Sequence, residues 1–127
     1  AVRWMCDLVQ RRMCEVDPEL AEQHQALGLR AEEWAGPWLA VLFSRTLPIW
    51  DLLAVWEALL ASEDRGAFLV HFCVALAGTR CVRHAVMHAD AAGELSLVYE
   101  MMPAVRVEEV FARAHELSVM PGESLKA

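Results

Sequence analysis

Apolar residues recur three and four positions apart through most of the chain, while the period-two alternation of a half-buried strand is nearly absent. That pattern predicts an all-α fold, because only a 3.6-residue repeat gathers such positions on one face. A first helix is expected over Val2–Glu15, with Trp4, Met5, Leu8, Val9, Arg12 and Met13 forming the stripe. "VDPELAE" then restarts the chain. Asp17 can accept from a free N–H of a second helix, and Pro18 sits where its missing N–H costs nothing. That helix should end near Leu27, with Gly28 making a left-handed turn.

The next stretch, "WAGPWLAVLFSRTLPIWDLLAVWEALL", holds four of the five tryptophans. A residue before proline is steered away from the α conformation, so Gly36-Pro37 and Leu47-Pro48 are read as breaks. Helices are expected over Ala31–Ala35, Pro37–Thr46 and Pro48–Ala61, with Asp51 in the first turn of the third, favourable for its dipole. "SEDRG" reads as a solvated loop. Further helices are expected over Ala67–Ala77, Arg80–Ala89 (Thr79 capping), Glu94–Met101 and Val107–Leu117. Residues 118–127 read as a flexible tail. The outcome is one domain over residues 1–117, a compact orthogonal array of about eight short helices.

Composition narrows the function. Apolar residues make up 57% of the 127, so most of that surface must be hidden, some of it against a partner. The net charge of −7 and scattered basic residues exclude a nucleic-acid binder. No apolar run is long enough for a transmembrane segment, because Arg45, Asp51 and Glu57 interrupt the richest stretch. The chain shows neither an initiator Met nor a signal-peptide pattern, and it reads as cut from a longer one. Cys6, Cys14, Cys73 and Cys81 lack disulfide spacing, so free thiols in the cytoplasm are expected.

Trp38-Leu39, Leu42-Phe43-Ser44-Arg45, Leu47-Pro48, Asp51-Leu52-Leu53 and Val55-Trp56-Glu57 follow one another in an order that resembles the C-terminal half of TBC domains. These are all-α domains that activate Rab-family GTPases, with a pattern there of R-W, L-F-x-R-E, P and L-x-x-W-D. "DPELAEQHQALGL" upstream and "FLVHFCVALAGTR" with "LSLVYEMMP" downstream are similar to the flanking helices. Pro37 stands where the family has Arg, Thr46 where Glu is frequent, and Glu57 where Asp is usual. The resemblance implies a mainly structural role for Trp38, Phe43, Arg45, Pro48, Asp51, Trp56 and Glu57. It also implies a Rab GTPase partner, the remainder of a parent chain, and work in vesicle trafficking at endomembranes reached through partners. The family's arginine finger in I-P-x-x-D-x-x-R and glutamine finger in Y-x-Q have no counterpart, since the only tyrosine, Tyr99, precedes Glu-Met. Without donors that meet charge developing on the phosphate, binding a GTPase does not lower its barrier. No catalytic residue and no cofactor are assigned.

Other readings weigh against these. Trp38 and Trp56, flanked by Leu and Val, belong in the core, whereas Trp50, Met101 and Met102 are candidate partner contacts. Trp34, just before a break, could cap a helix pair. Asp51 and Glu57, six apart on a helix, point too far apart for an acid–base pair, and Glu57 is a candidate partner for Arg45. Cys81, His84 and His88 share a helix stripe and zinc-binding chemistry, yet no C-x-x-C knuckle supports them, and solvated histidines are the plainer expectation. A helical interaction or scaffold module of a larger assembly is the alternative to a GTPase regulator.

Overall fold

The computed structural model describes residues 3–122, and the expected helix start at Val2 and the last five residues of the chain lie outside them. Eight helices and no strand occur among the described residues: α1 Arg3–Val16, α2 Pro18–Ala26, α3 Ala31–Ala40, α4 Ile49–Ala61, α5 Arg65–Ala77, α6 Arg80–Met87, α7 Ala92–Glu100 and α8 Val107–Val119. Helix α5 is the axis of the fold. Its residues Val70 to Ala77 are buried without interruption, and α1, α8, α4, α3 and α6 pack around it. A helix apolar on every side must be covered on every side.

Local signals set the boundaries. Asp17 accepts from Leu20 N–H (3.3 Å) with Pro18 opening α2, and Gly28 turns the chain at φ +76°. Asp64 caps α5 by accepting from Ala67 N–H (3.0 Å), so that helix starts at Arg65, ahead of the expected Ala67. Thr79 does not cap α6 with its side chain; its hydroxyl donates back to Leu76 O (2.9 Å). Gln23 serves the opposite, C-terminal end of α6, donating to Val86 O and Ala89 O (both 3.0 Å).

Two expectations about the tryptophan-rich stretch are corrected. Gly36-Pro37 does not break the chain, and α3 runs through both residues. Much of the conflict before a proline is between its Cδ and the preceding Cβ, which glycine lacks. The helix expected to reach Thr46 stops instead at Ala40, where Leu42 and Phe43 turn left-handed at φ 48° and 66°. The stripe of α1 is also centred differently: Cys6, Val9, Arg12 and Met13 are buried, and Trp4 is exposed.

No single helix among the described residues is long and apolar enough to cross a membrane. Helices α5 and α6 reach the length together, but they meet at a 65° bend.

Candidate interaction surface

The site begins at the left-handed turn that ends α3. Phe43 N–H donates five residues back to Trp38 O (2.8 Å), and Leu47 N–H donates to Phe43 O (3.2 Å). Two non-glycine residues with positive φ cost energy, so something must over-determine them. The Phe43 ring supplies it. Fully buried, it lies 6.1 Å from Trp38 and 5.0 Å edge-on to Phe72. Trp38 and Leu47 are buried on either side of the turn.

Beyond Pro48 the chain enters α4 with Asp51 in its first turn. Leu52 and Val55 are buried, and α5 is the main neighbour of this helix. The rest of an almost wholly apolar helix is left open. Trp50 is 80% exposed, and Ile49, Leu53 and Leu60 are exposed with it. Trp56 departs from its expected place in the core. It is 36% exposed, and its indole N–H donates to Leu42 O (2.9 Å), fastening α4 to the strained turn. Val41 and Leu42 extend the apolar surface from the turn side.

Arg45 is exposed and lines a recess of about 300 Å³ with Thr46, Tyr99 and Glu100. A second recess of about 300 Å³ adjoins it, lined by Arg45, Glu100, Met101 and Met102. Met101 is exposed, while Met102 packs partly on the core. Among the described residues no ion pair joins Glu57 to Arg45. Trp34 caps nothing; it is fully buried and stacks between His24 and Tyr99, each 5.1 Å from it.

Cys81, His84 and His88 are exposed. His88 Nδ1–H donates to His84 O (2.9 Å) and the two rings lie 4.1 Å apart. No group of three Cys, His, Asp or Glu side chains among the described residues is placed to hold a metal ion. All four cysteines are free, with Cys6 and Cys73 buried. Burial pushes both of those thiols up in pKa, which makes them inert packing groups.

The Rab-GTPase-TBC domain model matches residues 1–83, which take in the strained turn and all of α4. This chain belongs to the TBC domain family. It is 23% identical to human TBC1 domain family member 13 over 116 residues, 91% of the chain and 28% of that protein. Over 101 residues it is 24% identical to TBC1 domain family member 5 homolog B of Dictyostelium discoideum, covering 80% of the chain and 10% of that protein. The chain thus spans less than a third of either curated relative. No solved structure matches it. Within this TBC chain the family-motif residues divide by burial: Trp38 and Phe43 are buried anchors, while Arg45, Pro48, Trp56 and Glu57 are exposed and Asp51 is half-buried.

The sequence reading missed three polar contacts, two of them buried. Arg12, almost fully buried, donates to His71 Nε2 (3.2 Å), Leu117 O (2.7 Å), Met120 O (2.8 Å) and Pro121 O (3.3 Å), so it holds the end of α8. His24 Nε2 lies 2.6 Å from the Tyr99 hydroxyl. Arg83 forks onto Asp17 (2.9 and 3.0 Å). An arginine on the apolar stripe of α1 was the one available signal.

Proposed function

We propose that this chain is the C-terminal helical lobe of a TBC domain that binds a small GTPase of the Rab family in membrane-traffic regulation. The match of residues 1–83 to the family carries the reading. The lobe completes the domain's core and lends part of the GTPase-facing surface, with Trp50, Met101 and Met102 as contacts. It brings no covalent chemistry and no cofactor of its own. Where other segments of the parent supply the arginine and glutamine fingers, the parent is a GTPase activator; it works in the cytoplasm and reaches endomembranes through its partners.

The test is GTP hydrolysis by a broad panel of Rab proteins. Acceleration is expected from the parent protein and none from the 127-residue chain alone. Trp50→Glu in the parent should raise KM and leave kcat unchanged, the signature of a contact made equally in ground and transition states. No acceleration by the parent across the panel rules out the activator. A non-catalytic scaffold would then be the better reading, and the open apolar face of α4 favours a protein partner in that case as well.

A further inference from the structure

Arg12, buried on α1, ties the end of α8 to α5 through one guanidinium. Nε–H donates to His71 Nε2 on α5 (3.2 Å), while Nη2 donates to Leu117 O (2.7 Å) and Met120 O (2.8 Å). Nη1 donates to the Glu15 carboxylate (3.2 Å) and Pro121 O (3.3 Å). Gly122 lies against the same group, where a Cβ would collide with Nη1 and the Glu15 oxygens. The fork is planar and rigid, so its donors turn together, and holding Nε aims the other two nitrogens at the end of α8. Arg12 keeps its charge and has no lone pair to offer, so this bond exists only while His71 Nε2 carries no proton. Protonation would set two N–H donors and two positive charges face to face.

His71 lines a recess of about 710 Å³ between the start of α5 and α8, which gives water a path to the ring. The charged and titratable groups around it come from three elements. α1 brings Arg12, with Glu15 beside it; the loop before α5 brings Glu63 and Asp64; α8 brings His115. α3, α4 and α6 add no residue to the lining of the recess. Burial and then Arg12 hold the ring neutral, against the Ala67 carbonyl one turn back and the Asp64 charge.

We propose that Arg12 and His71 form an acid-opened latch on α8, in which a proton on His71 turns the guanidinium away and frees the chain from Leu117 to Gly122. His71 is the positioning residue and Arg12 the bolt. The ring's pKa in the folded state lies below 6.5, so the latch is closed at neutral pH and opens as pH falls through that lower value. The device is internal to the lobe and does not depend on whether the parent acts on a Rab.

Nuclear magnetic resonance of the 127-residue chain, titrated downward from pH 7.5, tests it. The His71 ring shifts report its protonation, and amide exchange, corrected for its intrinsic pH dependence, reports the helix end. Protection of Ser118, Val119 and Met120 should fall about tenfold or more, with the same midpoint as the His71 ring. Amides of the buried run Val70–Ala77 in α5 should keep theirs through that step. His71→Gln places an oxygen near Nε2 and takes no proton, so its α8 end should stay protected over the same range. Arg12→Met should expose that end already at pH 7.5, with no further step on acidification. A step away from the His71 midpoint, one shared with α5, or one unchanged in His71→Gln overturns the latch. Should His71→Gln fail to fold, the two midpoints in the native chain decide it alone.

Discussion

His24 sits at the centre of the aromatic core, fully buried, stacked on Trp34 and hydrogen-bonded to Tyr99. Burial drives its pKa down from 6.5 to about 4, and the distant Asp17 charge only partly opposes that. The folded state therefore prefers the neutral ring, while the unfolded chain protonates near the ordinary value. Stability is full above pH 6.5 and is lost as pH falls toward 4, by about 3 kcal/mol for this group alone. His71 acts in the same direction: burial, then the Arg12 guanidinium, lowers its pKa. Burial raises the Asp17 carboxyl, but the Arg83 hydrogen bonds and charge outweigh it and leave the pKa below the ordinary value. Asp17 loses its contribution only below its ordinary value of 3.8, under the range in which His24 acts. Denaturant midpoints between pH 7 and 4 should fall steadily, with a shallower slope in His24→Leu. A flat profile in the native chain would contradict a neutral buried His24.

At the scale of elements, the α3–α4 connection stores strain that can be released. Leu42 is at φ 48° with an exposed side chain, so Leu42→Gly gives up little packing while removing the left-handed penalty. A net gain of about 0.5–1 kcal/mol is expected by denaturant titration after the entropy of the new glycine is set against it. Phe43→Ala should instead cost about 3–5 kcal/mol, because its ring is what fixes the turn. At the other end of the fold, Arg12→Met keeps a long apolar stem but leaves His71 and the Met120 carbonyl without their donor, and Leu117 O with only the Met120 N–H. A loss of about 3 kcal/mol is expected, with hydrogen exchange rising first in the last turn of α8. These two sites mark how much was legible. Most helices and their boundaries could be read because caps and glycines act on near neighbours: Asp17, Pro18 and Gly28 do what their types dictate. The Pro37 break was misread because the rule before proline weakens when the preceding residue is glycine. The left-handed turn at Leu42 and the Arg12 clasp were not legible, since each is imposed by side chains from distant segments. The exposed face of α4 was half legible: Trp50 stood out beside Pro48 and Asp51, but Trp56 looked like core.

For the molecule as a whole, the α4 face and the net charge pull solubility in opposite directions. An apolar patch of roughly 600–700 Å² favours association wherever nothing covers it. The charge of −7 at neutral pH opposes that by repulsion between chains, and the repulsion vanishes near the isoelectric point of about 5.1. Light scattering of the isolated chain should therefore rise with concentration at pH 7 and steepen as pH falls toward 5. Acid unfolding would produce a similar curve, because buried His24 loses its advantage over the same range. Trp50→Ser separates the two causes. It removes the largest exposed apolar side chain and leaves the His24 pocket, the Arg12 clasp and the titratable groups untouched, so the unfolding midpoint at each pH should not move. If the α4 face drives association, scattering falls sharply in this variant at pH 7 and at pH 5 alike. If scattering at pH 5 is unchanged, unfolded chains are its source, and the open face of α4 is not what makes this protein associate.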